Sequence, residues 1–218
     1  MKTIIASVAA VALSVSAVFA ENTLHIGMYV PISNLTAAEG SASTAFATTG
    51  FGGSLDYTHV AGSGFTFKIG LGVAGANSSN MKTVRGKDLS GTDFDLGLGF
   101  GGSVIHDEKM TLSLTGNLGF RIQQLSGNDT FTEYKNYRSN TYDIDTEMES
   151  FLFYIGPEIS YTFRFNRHIG LFANFGIFYN TGESSYITFG APSSIDVDFT
   201  YTTLGFNFQP KFGLAVTF

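Results

Sequence analysis

The chain of 218 residues has no cysteine. This excludes a disulfide framework, thiolate metal sites and a lipid anchor on cysteine. Charged residues make up only 14% of it, and the net charge of −6 leaves no basic surface for nucleic acid. Beyond residue 20 no apolar run is long enough for a transmembrane helix. Only four histidines are present, His25, His59, His106 and His168, which limits the general bases open to an enzyme.

Glycine (26) and phenylalanine (22) are abundant instead. Glycine at this level without a collagen period suggests tight turns and small inward positions in a β fold. Met1–Ala20 reads as a signal peptide: Lys2 is the basic start, Ile4–Val18 the apolar stretch, and Val18-Phe19-Ala20 a small-x-small cleavage site. The mature domain is expected to run from Glu21 to Phe218.

Period-two alternation then recurs along the chain. Leu24, Ile26, Met28 and Val30 mark a first strand, ended by Pro31, with a Ser/Thr/Ala/Gly-rich loop to about Thr49. Six more strands lie near 50–58, 65–73, 93–101, 111–122, 151–163 and 169–179. An eighth starts near Ile195, with a β-bulge at Thr202–Thr203 where the apolar parity changes from odd to even. Polar loops are expected at 75–91, 124–148 and 181–194, and short turns at 61–64, 106–109 and 164–168. The predicted fold is all-β, an antiparallel up-and-down transmembrane barrel of about eight strands with short turns at one end and long loops at the other.

The last stretch, LGFNFQPKFGLAVTF, puts Leu204, Phe206, Phe208, Pro210, Phe212, Leu214, Val216 and Phe218 on one face. It resembles the C-terminal strand of bacterial outer-membrane β-barrels, where Phe212, Leu214, Val216 and Phe218 fit the alternating pattern with a final aromatic. That resemblance implies recognition by the barrel-assembly machinery. In architecture, Glu21–Phe218 resembles the small eight-stranded outer-membrane proteins of the OmpW, OmpX and OmpA-barrel group.

The faces opposite the apolar rows carry Asp56, Lys68, Asp93, Asp95, Arg121, Glu158 and Lys211. Lipid outside and polar groups inside explain both faces together. A lipocalin-like soluble barrel would leave a surface with few charges for its size. Asp56 and Lys68 lie symmetrically about Gly62, and Asp93 and Asp95 lie about level with Arg121 across the 106–109 turn. Cross-strand ion pairing is expected, and an eight-stranded lumen holds only side chains or one small ligand.

Other signatures are weaker. Gly97-Leu98-Gly99-Phe100-Gly101-Gly102 fits GxGxxG, but no helix follows, so it reads as small lumen residues. Ser79 and Lys82 match SxxK without its companion motifs. Asp143, Asp145, Glu147 and Glu149 form an acidic stripe that suits a divalent cation in principle and reads first as a solvated loop face. No catalytic residue, cofactor or resident metal is expected. Outer-membrane lipid is the expected surrounding, in the bacterial outer membrane. The leading functional reading is OmpW-like passage of small hydrophobic molecules. The alternative is a surface module that binds host or envelope partners through its long loops.

Overall fold

The computed structural model describes residues 21–83, 85–135, 137–190 and 197–218. The signal peptide read at Met1–Ala20 lies outside the described residues. The described chain is nine β-strands: β1 (Glu21–Tyr29), β2 (Ile32–Glu39), β3 (Ala42–Val60), β4 (Phe65–Lys82), β5 (Asp88–His106), β6 (Met110–Lys135), β7 (Arg138–Arg164), β8 (Ile169–Phe189) and β9 (Val197–Thr217). All neighbouring pairs are antiparallel, and β1 pairs with β9, so the sheet closes.

The closed ring has eight staves, because β1 and β2 are one strand. Both pair with β3 on one side and β9 on the other, in unbroken register across Val30–Pro31. Pro31 therefore does not end the first strand. It removes one donor while the stave continues.

The expected loops are mostly strand as well. Residues 32–39 and 42–49 form a hairpin through a two-residue turn with Gly40 at φ 58°. The predicted loop 75–91 is mostly strand, β4 running to Lys82 and β5 starting at Asp88, and 124–148 is a continuous hairpin up to Lys135↔Arg138. β8 continues to Phe189, while residues 191–196, including the proposed start at Ile195, lie outside the described residues. No bulge occurs at Thr202–Thr203: β9 keeps one register against β8 from Val197 to Val216. The parity change has another cause, given below.

Partners followed round the ring from His25 pass through Asp56, Gly70, Gly97, Gly119, Tyr154, Asn180 and Gly205 and return at Leu35, ten residues further on. With about 4.8 Å between strands and about 3.3 Å per residue, that stagger tilts the strands by about 40° and gives a backbone radius of about 8 Å. Long side chains from opposite walls meet at such an axis.

Outward rows are apolar on every stave. On β7 the row from Phe151 to Phe163 is exposed and apolar, and spans about 30 Å along the barrel axis at this tilt. That is the thickness of a bilayer's hydrocarbon core. Directly above it the same row turns to Glu149, Glu147, Asp145 and Asp143. β8 changes from Tyr179 to Thr181 and Glu183, and β6 from Ile122 to Gln124. The inside is the reverse, with Asp56, Asp93, Asp95, Arg121 and Lys211 at 0–3% exposure. Water outside would meet an unbroken greasy belt, whereas lipid outside and a closed sheet leave no edge unpaired. Ile155→Arg, at mid-belt, is therefore expected to destabilise the bilayer-embedded barrel by about 2–4 kcal/mol. Glu149→Arg, above the belt, should leave it nearly unchanged. Urea titrations in lipid vesicles check this, and equal effects at the two sites would remove the assigned boundary.

Candidate functional site

The lumen holds three layers. At the short-turn end Arg164 bonds Glu21, Thr111 Oγ1 at 2.7 Å and the Asp107 carbonyl at 2.8 Å, tying the start of β1 to the β5–β6 turn, β6 and β7. Just outside, the amides of Lys109 and Met110 donate to the Asp107 carboxylate and hold it below the usual carboxylate range. His25 is buried, stacks on Phe172 at 4.5 Å and shares a hydrogen bond with Thr162. The other three histidines sit at this same end.

The middle layer is ionic. Asp56 accepts from Lys211 at 2.9 Å, Lys68 at 3.0 Å and Asn174 at 3.2 Å, and Lys68 also pairs with Glu158. Register places Lys68 opposite Thr58 and Asp56 opposite Gly70, so the contact is diagonal across the turn. The glycines make room for it: a Cβ at Gly70 would come within 2.5 Å of the Asp56 carboxylate.

Asp93 takes Arg121 Nε on both oxygens at 2.8 Å and Gln123 at 3.1 Å. Arg121 also donates to Ser33 on the opposite wall. Asp95 faces Arg121 in register but is not its partner. It accepts from Tyr154 at 3.2 Å and Gln209 at 3.0 Å. The expected group of three is thus an Asp93–Arg121 pair beside an Asp95 whose hydrogen-bond partners, Tyr154 and Gln209, carry no charge. The tyrosine and glutamines carried no charge pattern by which the sequence could have flagged them. A void of about 10 Å³ remains between Lys68, Asp95, Tyr154, Glu158, Gln209 and Lys211, the size of one water.

The upper layer is apolar and was not anticipated. Leu35, Ala37, Phe46, Ala76, Met81, Leu89, Leu125, Met148 and Leu152 are buried together, with Tyr186 and Tyr201 packed against them. This explains the parity of β9. Tyr201 points inward here like Lys211 and Gln209 below it, so an apolar odd position needs no bulge.

Above the barrel stands an arm. β5 leaves β6 at Ser126 and β8 leaves β7 at Asp145, while β6 and β7 stay paired up to the tip. The β4–β5 turn braces the arm's base. Asp129 accepts from the Arg85 amide at 2.8 Å and pairs with Lys87 at 2.9 Å. Burial opposes its ionisation, but bonds from Thr83, Lys87 and the Arg85 amide outweigh this and hold its carboxyl below the ordinary range. At the tip Tyr134 is 82% exposed, and Tyr137, at φ 60°, is fully exposed.

Asp143, Asp145, Glu147 and Glu149 run in single file on the outward face of β7, and Glu149 and Asp145 accept from Gln124 and Asn128 of β6. Among the described residues no group of three or more acidic or histidine side chains is gathered for a metal ion. Phe212, Leu214, Val216 and Phe218 all face outward in the belt, and the Phe218 amide donates to the Asn22 carbonyl at 2.9 Å.

No family model matches the chain, and no curated protein matches its sequence. Several solved structures are similar. Ail, the attachment invasion locus protein of Yersinia pestis, aligns over 91% of this chain and 99% of its own, at 14% identity and a TM-score of 0.41. A major outer membrane protein of Thermus thermophilus aligns over 88% and 99%, at 12% identity and 0.47. The outer membrane protein AlkL aligns over 91% and 90%, at 13% identity and 0.44. At such scores the likeness carries no argument, and the fold rests on this chain's own pairing, belt and lumen. On those grounds the chain is an eight-stranded transmembrane β-barrel.

Proposed function

We propose that the protein is a non-conducting surface module, a barrel that anchors the β6–β7 arm and presents its tip to host or envelope partners. The arm carries this reading. Its part beyond the neighbouring strands, residues 127–135 and 138–144, is about 20 Å tall at the barrel's tilt. The tip, Thr130–Tyr142, is TFTEYKNYRSNTY. Rigid tyrosines beside serine, asparagine and threonine form adaptable contact surfaces at small entropic cost. The braced base and the continuous ladder present that surface pre-ordered, which lowers the ordering cost of binding.

Passage of small hydrophobic molecules is the second reading, and the exposed apolar belt and the apolar upper lumen favour it. The packed ionic layer beneath weighs against a continuous path. Proteoliposomes separate the two. The surface reading expects no swelling with small solutes, together with binding to immobilised host-cell surface protein that disappears when residues 128–145 are replaced by a short turn. Heat-modifiable gel migration of that variant should persist, because the belt and lumen are untouched. Rapid uptake of small hydrophobic solutes with no arm-dependent binding would reverse the order of the two readings.

A further inference from the structure

Three of the chain's four prolines, Pro31, Pro157 and Pro210, lie in the membrane-spanning wall. Proline gives no ladder bond and is normally confined to sheet edges, yet this sheet is closed. The pairing of β7 with β8 runs from Arg164 to Asp145 but skips Gly156 and Pro157. Val30 donates to the Pro210 carbonyl at 3.1 Å, and Gly50 to the Pro31 carbonyl at 2.9 Å. Neither proline can return a bond.

The three cluster on one side of the wall, within about 7 Å of one another in height at this tilt. The β7–β8 register sets Pro157 opposite Ile177, Ile177 pairs with Phe208, and Phe208 pairs with Ile32. Along this row Pro210 is two residues away and Pro31 one. The seams β7–β8, β9–β1 and β2–β3 each lose a donor there. On the other side β3–β4, β4–β5 and β6–β7 stay in unbroken register through the belt, and β5–β6 does so from Ser90 to Ser103, shifting only at Ser103–Ile105 near the short-turn end. Behind the weakened arc lies the central void, lined from this side by Glu158, Phe178, Gln209 and Lys211.

We propose that the β7–β8–β9–β1 arc is a compliant seam. It opens locally within the membrane and admits water to the central void, while the β4–β6 side stays closed. Lys211 follows Pro210 directly, so water entering there reaches the Lys211–Asp56 pair first and weakens it by raising the local dielectric. The seam thereby makes the ionic layer responsive to the state of the bilayer.

Hydrogen–deuterium exchange on the protein in lipid nanodiscs tests this. Amides of Phe175–Tyr179 and Phe206–Phe212 are expected to exchange about five- to tenfold faster than those of Phe94–Leu98 and Leu118–Ile122, which lie on the unbroken side of the belt. That ratio corresponds to losing about one net hydrogen bond per seam. Pro157→Val and Pro210→Val restore donors and should slow exchange in the arc alone. Equal exchange on the two sides of the wild-type barrel would overturn the proposal whether or not the variants fold. Variants that fold but slow both sides alike, or neither, would overturn it too.

Discussion

Asp56→Ala is expected to lower the barrel's stability by about 3–5 kcal/mol, the range for stripping a partner from a buried charge. Asp56 is fully buried and lies within 3.0 Å of both Lys211 and Lys68. Its removal leaves Lys68 with Glu158 alone and Lys211 with no carboxylate in contact among the described residues. Asp95→Ala provides the internal comparison. Its partners Tyr154 and Gln209 are neutral, so the expected loss is that of unpaired buried polar groups, about 1–3 kcal/mol. Urea unfolding in detergent micelles, followed by circular dichroism and by heat-modifiable migration, ranks the two. A loss at Asp56 of only about 0–1 kcal/mol, typical of exposed pairs, would mean that the lumen is wet and the charges are screened.

That contrast shows what could be read from the chain. The inward parity of Asp56, Lys68, Asp93, Asp95, Arg121, Glu158 and Lys211 followed from the apolar rows, because the side-chain period of a strand is two and one apolar row fixes the other face. Which carboxylate takes which cation did not follow. Long side chains reach diagonally across a narrow lumen, so Arg121 passes over the in-register Asp95 to Asp93 and Ser33.

Strand ends were equally hidden. Above the membrane both faces of a hairpin meet water or polar neighbours, and alternation fades although the ladder continues, as in 124–148. The segment 32–49 looked like a loop because small polar residues such as Ser33, Thr36 and Thr44 dominate it. The ladder with β9 holds it regardless. The parity change in β9 was noticed, but an apolar mouth to the lumen explains it and a bulge does not. That mouth draws residues from six staves that lie far apart in the chain, and single-strand periodicity cannot assemble them.

The apolar mouth also decides what opening the barrel would require. Removing both carboxylates near Arg121, Asp93→Ala with Asp95→Ala, dismantles much of the ionic layer and should cost about as much stability as Asp56→Ala. Conductance in planar bilayers is nevertheless expected to stay at baseline. Ions that pass the damaged layer still meet Leu35, Phe46, Leu125, Met148 and Leu152 packed across the axis, and such a constriction excludes water and blocks ions without any charge. The converse variant, Leu125→Ala with Met148→Ala and Leu152→Ala, leaves an apolar hollow. It should lose about 2–5 kcal/mol per site and still not conduct, because an apolar cavity stays dry and the Asp93–Arg121 pair lies beneath it. Only all five substitutions together are expected to give steady ion current. Folded protein for each variant is confirmed by heat-modifiable migration before current is recorded. Current from the Asp93→Ala, Asp95→Ala pair alone would show that the upper layer seals nothing. The lumen would then be held shut by charge pairing alone, and its resistance should fall as salt rises and screens the remaining pairs.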